Sequence, residues 1–119
     1  MWGEVGSAKV YLALGPTDLR RSINGLSVLV SEVLEGDPFS ESWFVFCNRR
    51  KDKLKILHWQ GAGFWLHYRR LERGPFSWPQ ASVSILSLQI TYRELRWLLD
   101  GLALEQPRAH RPLQYRLAG

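Results

Sequence analysis

Between Cys47 and Pro79 the chain reads CNRRKDKLKILHWQGAGFWLHYRRLERGPFSWP, a mixture of residue types suited to meeting a polyanion. Its eight cations are Arg49, Arg50, Lys51, Lys53, Lys55, Arg69, Arg70 and Arg73, set against two acids, Asp52 and Glu72. The stretch therefore carries +6 while the whole chain carries +5, so the remainder is close to neutral. Trp59, Phe64, Trp65, Tyr68, Phe76 and Trp78 are threaded between the charges. Ammonium and guanidinium groups neutralise phosphates, and flat rings stack on bases or sugars. Lysines on an exposed strand also discourage edge-to-edge aggregation, but that explains only about two or three cations. A segment whose charge exceeds that of the whole chain favours phosphate contact instead. DNA contact is expected at all eight cations, with Trp59, Trp65 and Tyr68 as candidate stacking residues. Most of the tryptophans are expected to be structural, because large rings more often pack than stack on ligands. Arg20 and Arg21 are candidates for additional phosphate contacts.

Other groupings invite a catalytic reading. Asp18 beside Arg20 and Arg21 resembles an acid next to phosphate-binding cations, but an N-cap carboxylate followed by a solvated helix face accounts for all three. His58 and His67 fall on neighbouring predicted strands, where a metal pair or an acid–base pair is conceivable. No third ligand accompanies them, and strand histidines ordinarily satisfy hydrogen bonds. A two-metal nuclease centre needs several converging carboxylates, whereas the acids here fall mostly on predicted helix faces or in loops. There is no Walker loop, nucleophile elbow or HExxH motif. The lone Cys47 lies in the apolar run WFVFC, so it reads as a small buried core residue rather than a disulfide or zinc ligand. The expectation is a non-enzymatic protein with no catalytic residue, metal or cofactor.

These residues need a scaffold. Lys9 to Leu14 reads as a short first strand, ended by Gly15-Pro16. Thr17 or Asp18 is placed to cap a helix. Leu19, Ile23, Leu26, Val30, Val33 and Leu34 recur at helical steps, predicting an amphipathic helix from Leu19 to Leu34. Gly25 inside it marks close packing on the sheet or a break. Trp43 to Asn48, Lys53 to Trp59 and Phe64 to Arg70 read as strands separated by turns at residues 49–52 and 60–63. An even loop at the glycine turn would oppose Trp59 to Phe64, Lys55 to Tyr68 and Lys53 to Arg70. An odd loop would put Trp59 and Lys55 on the face of Trp65 and Arg69, and both registers stand open. Val83 to Leu88 fits a last strand. Thr91 to Glu94 has capping-box spacing before Leu95, Leu98, Leu99 and Leu102, and Gly101 is placed to end that helix. The expected fold is a single α+β domain over residues 1–119. It is an antiparallel β-meander of about four to five strands, with the long helix on one face and the shorter C-terminal helix flanking it. The globular core is expected at about residues 8–103, with an extended basic tail over 104–119.

At 119 residues and 45% hydrophobic content the chain can bury one core, which excludes global disorder. No apolar run approaches the roughly 20 residues of a membrane span, and the N-terminus lacks signal-peptide character. A cytoplasmic location and no membrane partner are expected.

Several motifs, in order, carry a resemblance. Gly15-Pro16-Thr17-Asp18-Leu19-Arg20-Arg21 is followed by Gly25-Leu26. Phe44 to Arg50 is followed by Leu54-Lys55-Ile56-Leu57. Trp59-Gln60-Gly61-Ala62-Gly63-Phe64, Arg69-Arg70-Leu71-Glu72 and Phe76-Ser77-Trp78-Pro79 complete the set. From about Val10 to about Gly101 the chain resembles the small TnpB accessory proteins of insertion sequences of the sixty-six type, which are unrelated to the RNA-guided nuclease sharing that label. Arg69 stands where the family has a lysine, and Gln60 where it has an acid. The resemblance implies an accessory role in transposition beside a separate transposase. DNA binding follows from the charge placement, not from the resemblance. The rival function is a protein–protein adaptor for the transposase and other proteins of the element, with no direct DNA contact. A small nuclease using Asp18, His58 or His67 is the enzymatic rival.

Overall fold

In the computed structural model, which describes residues 8–104, the elements run β1 (Val10–Ala13), α1 (Ile23–Glu32), β2 (Trp43–Cys47), β3 (Lys53–Gln60), β4 (Gly63–Arg70), β5 (Ser87–Ile90) and α2 (Tyr92–Leu99). The strands form one sheet in the order β4-β3-β2-β1-β5. β2, β3 and β4 are antiparallel neighbours, which is the expected meander. The sheet as a whole is mixed rather than antiparallel, because β1 runs parallel to β2. The cause is α1: a helix between two strands carries the chain back to its starting end, and the second strand then runs in the same direction as the first. β5 closes the other side, antiparallel to β1.

β2 is buried along its whole length, which explains its unbroken apolar sequence WFVFC. Trp43, Val45 and Cys47 join one core cluster, and Phe44 and Phe46 join the other. The second cluster lies under α1, where Leu26 and Val30 pack with Ala13, Phe44, Phe46 and Leu57. The first is closed by Leu95 and Leu98 of α2 together with Phe76 and Trp78. α2 thus covers the face opposite α1. The Phe76–Trp78 segment has no regular structure but is strapped down. The Phe76 N–H donates to Lys51 O at 2.6 Å, and the Trp78 indole N–H donates to Ala13 O at 3.1 Å.

The long helix is shorter than its apolar stripe, starting at Ile23 and ending at Glu32. Its N-cap is Ser22, without a side-chain capping bond, and not Thr17 or Asp18. Residues 19–21 stay outside the helix because Leu19 O and Arg21 O accept hydrogen bonds from Lys55 Nζ at 2.7 and 2.9 Å. At the other end Glu35 turns left-handed with φ 57°, and the Gly36 N–H caps Val30 O at 2.8 Å. Gly25 does not pack on the sheet; a Cβ there would meet the side chain of Arg21 at 3.1 Å. The last strand lies later than predicted, at Ser87–Ile90 instead of Val83–Leu88. Ile90 is buried and pairs with Val10, whereas Val83, Ile85 and Leu86 are exposed. The Thr91–Glu94 capping box forms in both directions, at 3.1 and 2.8 Å. Gly101, at φ 80°, follows the helix end. The expected basic tail lies outside the described residues apart from Leu104. No described helix is long and apolar enough to cross a membrane.

Candidate functional site

The β3–β4 turn is two residues long, Gly61-Ala62, with Gly61 at φ 62°, a conformation glycine adopts without steric cost. The even register follows: Trp59 opposes Phe64, Leu57 opposes Leu66, Lys55 opposes Tyr68 and Lys53 opposes Arg70. Because side chains alternate across a strand, Lys53, Lys55, Tyr68 and Arg70 share the α1 face. Arg69 goes to the other face, where its Nε donates to Leu99 O at 2.9 Å, at the end of α2.

The loop between β2 and β3 is organised by Asn48. Its Oδ1 accepts from the N–H groups of Asp52 and Lys53, each at 3.1 Å, and its Nδ2 donates to Asp52 Oδ1 at 2.7 Å. That last bond holds the Asp52 carboxyl below its usual range. Lys51 takes φ 62° to complete the turn. With Asp52 engaged inward, Arg49 and Arg50 are left exposed at the loop's tip.

Facing this loop across the end of the hairpin is the segment before α1. The two enclose an open groove of about 910 Å³, lined by Arg20, Arg49, Arg50, Lys53 and Lys55, with Tyr68 as its aromatic wall. Asp18 is the one carboxylate among the lining residues. The Arg20 guanidinium grips both Asp18 oxygens, with contacts from 2.7 to 3.1 Å. That hydrogen bonding pulls the Asp18 carboxyl down to about 2. Asp18 is therefore committed to positioning Arg20 and is poorly suited to act as a general acid or base near neutral pH. Lys55 is half-buried and ties β3 to the Leu19 and Arg21 carbonyls, so it shapes the groove as well as charging it.

The remaining predicted residues are dispersed. Arg70 pairs with Glu72 at 2.9 Å, and Lys53 has Asp52 3.9 Å away. Arg21 borders a separate cavity with Leu29 and Val33, and Lys51 and Arg73 do not line the groove. Trp65 and Tyr68 are 53% and 54% exposed, so both could meet a ligand. Trp59 is half-buried in a cluster with Phe39 at 5.1 Å and Phe64 at 4.9 Å. Sequence reasoning missed Phe39, which arrives from a loop, and Asn48, although an asparagine opening a turn is a recognisable signal. His58 is buried, stacked on Trp43 at 4.0 Å, with Nδ1 3.2 Å from Ser42 O. His67 stacks between Trp43 and Trp65. Among the described residues no three His, Cys, Asp or Glu side chains come together as metal ligands. Burial pushes the Cys47 thiol up to about 12, consistent with its expected core role.

The residues that build this groove lie within a family match. The model described as "IS66 Orf2 like protein" matches residues 8–109. The chain belongs to the IS66 Orf2-like family. Two relatives from Sinorhizobium fredii (strain NBRC 101917 / NGR234) span most of it. Uncharacterized protein y4hO is 35% identical over 101 residues, covering 85% of this chain and 86% of the relative. Uncharacterized protein y4jC is 34% identical over 102 residues, covering 86% of each. No solved structure matches the chain. The resemblance drawn from the ordered motifs is borne out, and IS66 Orf2-like membership makes this a transposition-associated accessory protein. In this IS66 Orf2-like chain Pro16 to Arg20, the middle of the Gly15–Arg21 motif, forms one bank of the groove, and Asn48 to Arg50 forms the other.

Proposed function

We propose that the protein is a non-enzymatic cytoplasmic accessory factor of insertion-sequence transposition that binds DNA phosphates through this groove. The observation that carries the reading is the charge balance of the walls. Five cations converge with one carboxylate, and that carboxylate is already spent on Arg20. Arg49 and Arg50 have no ion-pair partner among the described residues, so their charge is free to meet an anion. Tyr68 offers a ring beside them for a sugar or base. Lys51, Arg70 and Arg73 add to the surrounding positive field. Arg69, on the far face, contributes least.

The test is a salt titration of binding to a random-sequence duplex. Affinity is expected to fall steeply with salt, with a log–log slope of about −0.9 per phosphate neutralised. Arg49→Glu with Arg50→Glu is expected to abolish binding without lowering the melting temperature. A wild-type protein that binds no duplex even at low salt overturns the reading.

That outcome would favour an adaptor that meets the transposase through protein contacts. The supporting observation is the aromatic cluster at the turn end of the hairpin, where Phe39 is exposed and packs edge-on against Trp59.

A further inference from the structure

β4 is an edge strand whose outer side pairs with no strand among the described residues. Soluble proteins usually protect such edges with short strands, prolines, bulges or well-spread charges. β4 has eight residues, no proline and an unbroken register with β3, and its two cations sit together at one end. The opposite edge, β5, is half as long.

The backbone groups that face outward can be counted. The Leu71 N–H donates to Asp52 O at 2.8 Å, one step past the Lys53–Arg70 pair. Antiparallel neighbours alternate between hydrogen-bonded and non-bonded pairs. Phe64, Leu66, Tyr68 and Arg70 therefore turn their N–H and C=O groups away from β3. Along the same strand the side chains are polarised, with Phe64 and Trp65 near the turn and Arg69 and Arg70 at the far end.

We infer that β4 pairs antiparallel with β4 of a second copy of this chain, in a register centred on His67. This register sets Trp65 opposite Arg69 of the second copy, and Phe64 opposite its Arg70. Each cation stands across from an aromatic residue, with Arg69 still bonded to Leu99 O and Arg70 to Glu72, and no cation faces another. Leu66 and Tyr68 then exchange hydrogen bonds, which matches the outward set counted above. Parallel pairing would bring the two Arg69-Arg70 ends together. A register centred on Leu66 would oppose Arg69 to Gly63 and leave Arg70 unpaired. The two-fold axis of an antiparallel pair stands perpendicular to the sheet, so the α1 faces of both copies point the same way. The dimer would be one ten-stranded sheet with its two basic grooves opening on one side. The inference stands whether or not those grooves bind DNA.

The experiment is sedimentation of the full chain over a dilution series, without nucleic acid. The expected result is a reversible shift from twice the chain mass to the chain mass. Tyr68→Pro removes an outward N–H from an exposed edge position and is expected to give the monomer with α1 and β3 intact. Trp65→Lys sets like charges opposite each other and weakens association roughly tenfold or more. Adding Arg69→Glu to it restores the dimer. The register has its own readout. His67 faces its symmetry mate in a non-bonded pair with Cα atoms about 4.5 Å apart, within disulfide range. H67C is expected to cross-link under mild oxidation, whereas W65C and R69C alone do not. A wild type that stays monomeric at every concentration overturns the inference. So does a dimer that survives Tyr68→Pro, or cross-linking that is equal at positions 65, 67 and 69.

Discussion

On one face of the sheet Phe76, Trp78, Leu95 and Leu98 lie against β1, β2 and β3, and the cover extends to the Leu54 end of the hairpin. On the other, the apolar cover of α1 reaches Leu57 and Leu66, and beyond them Lys53, Lys55 and Tyr68 look into an open groove. β3 serves both faces with alternate residues: Leu54 and Ile56 are buried on one side, and Lys53 and Lys55 stand on the other. The comparison teaches that the open end is a consequence of helix length. α1 begins at Ile23 rather than Leu19, and the turn it gives up becomes the groove's wall. The groove's floor is anchored from behind at β3, where Leu54 and Ile56 are buried in the core on the opposite side of the strand.

The sharpest way to break this contrast is to loosen the closed face. Phe76→Ala is expected to cost roughly 3–5 kcal/mol of unfolding free energy, measured by urea denaturation. Phe76 is 1% exposed, and its N–H also anchors Lys51, so the groove's loop should loosen with it. Next in size is the tether on the open face. Lys55→Met keeps the aliphatic stem and removes two charge-assisted bonds to Leu19 O and Arg21 O, costing roughly 1–2 kcal/mol. Lys53→Met is expected to change stability little, because its nearest carboxylate is 3.9 Å away and the side chain is partly exposed.

The smallest effect is pH-dependent and belongs to the closed face. Burial, with His58 beside it, holds His67 below the ordinary histidine value of 6.5. The unfolded chain therefore takes up that proton first. Stability from this group is level above pH 6.5 and declines as pH falls below it toward the folded-state value. Asp18 releases its contribution only in the lower window between 3.8 and about 2. Urea midpoints on either side of pH 6.5, at a dilution favouring the monomer, should differ in the wild type and coincide in His67→Phe.

Much of this was legible from residue order alone. The meander was readable because strand residues are bounded by Asn48 and by the Gly61–Gly63 turn, and the capping box at Thr91 announced α2. The direction of β1 relative to β2 was not, because local patterning is the same for parallel and antiparallel neighbours; only the helix between them carried the information. The start of α1 was misread because Leu19 continues the apolar stripe, while a lysine 36 residues later holds its carbonyl out of the helix. β5 was placed too early because Val83, Ile85 and Leu86 look like a strand but stay exposed. At the site, the clustering of Lys53, Lys55 and Tyr68 waited on the turn length, and the diversion of Arg69 to α2 followed from the same register. Arg20 is brought opposite Arg49 and Arg50 by tertiary structure, which no local spacing encodes.

The pairing of β5 with β1 has a consequence for how the chain matures. Val10 meets Ile90 across some eighty positions of intervening chain, a separation that makes loop closure slow. During synthesis β1 can dock beside β2 long before Ser87 exists, and until then its free side is an unprotected border of apolar residues. A nascent chain halted short of Ser87 would present that border to its neighbours, so the last strand completes the architecture and also ends the period in which the chain is most prone to stick.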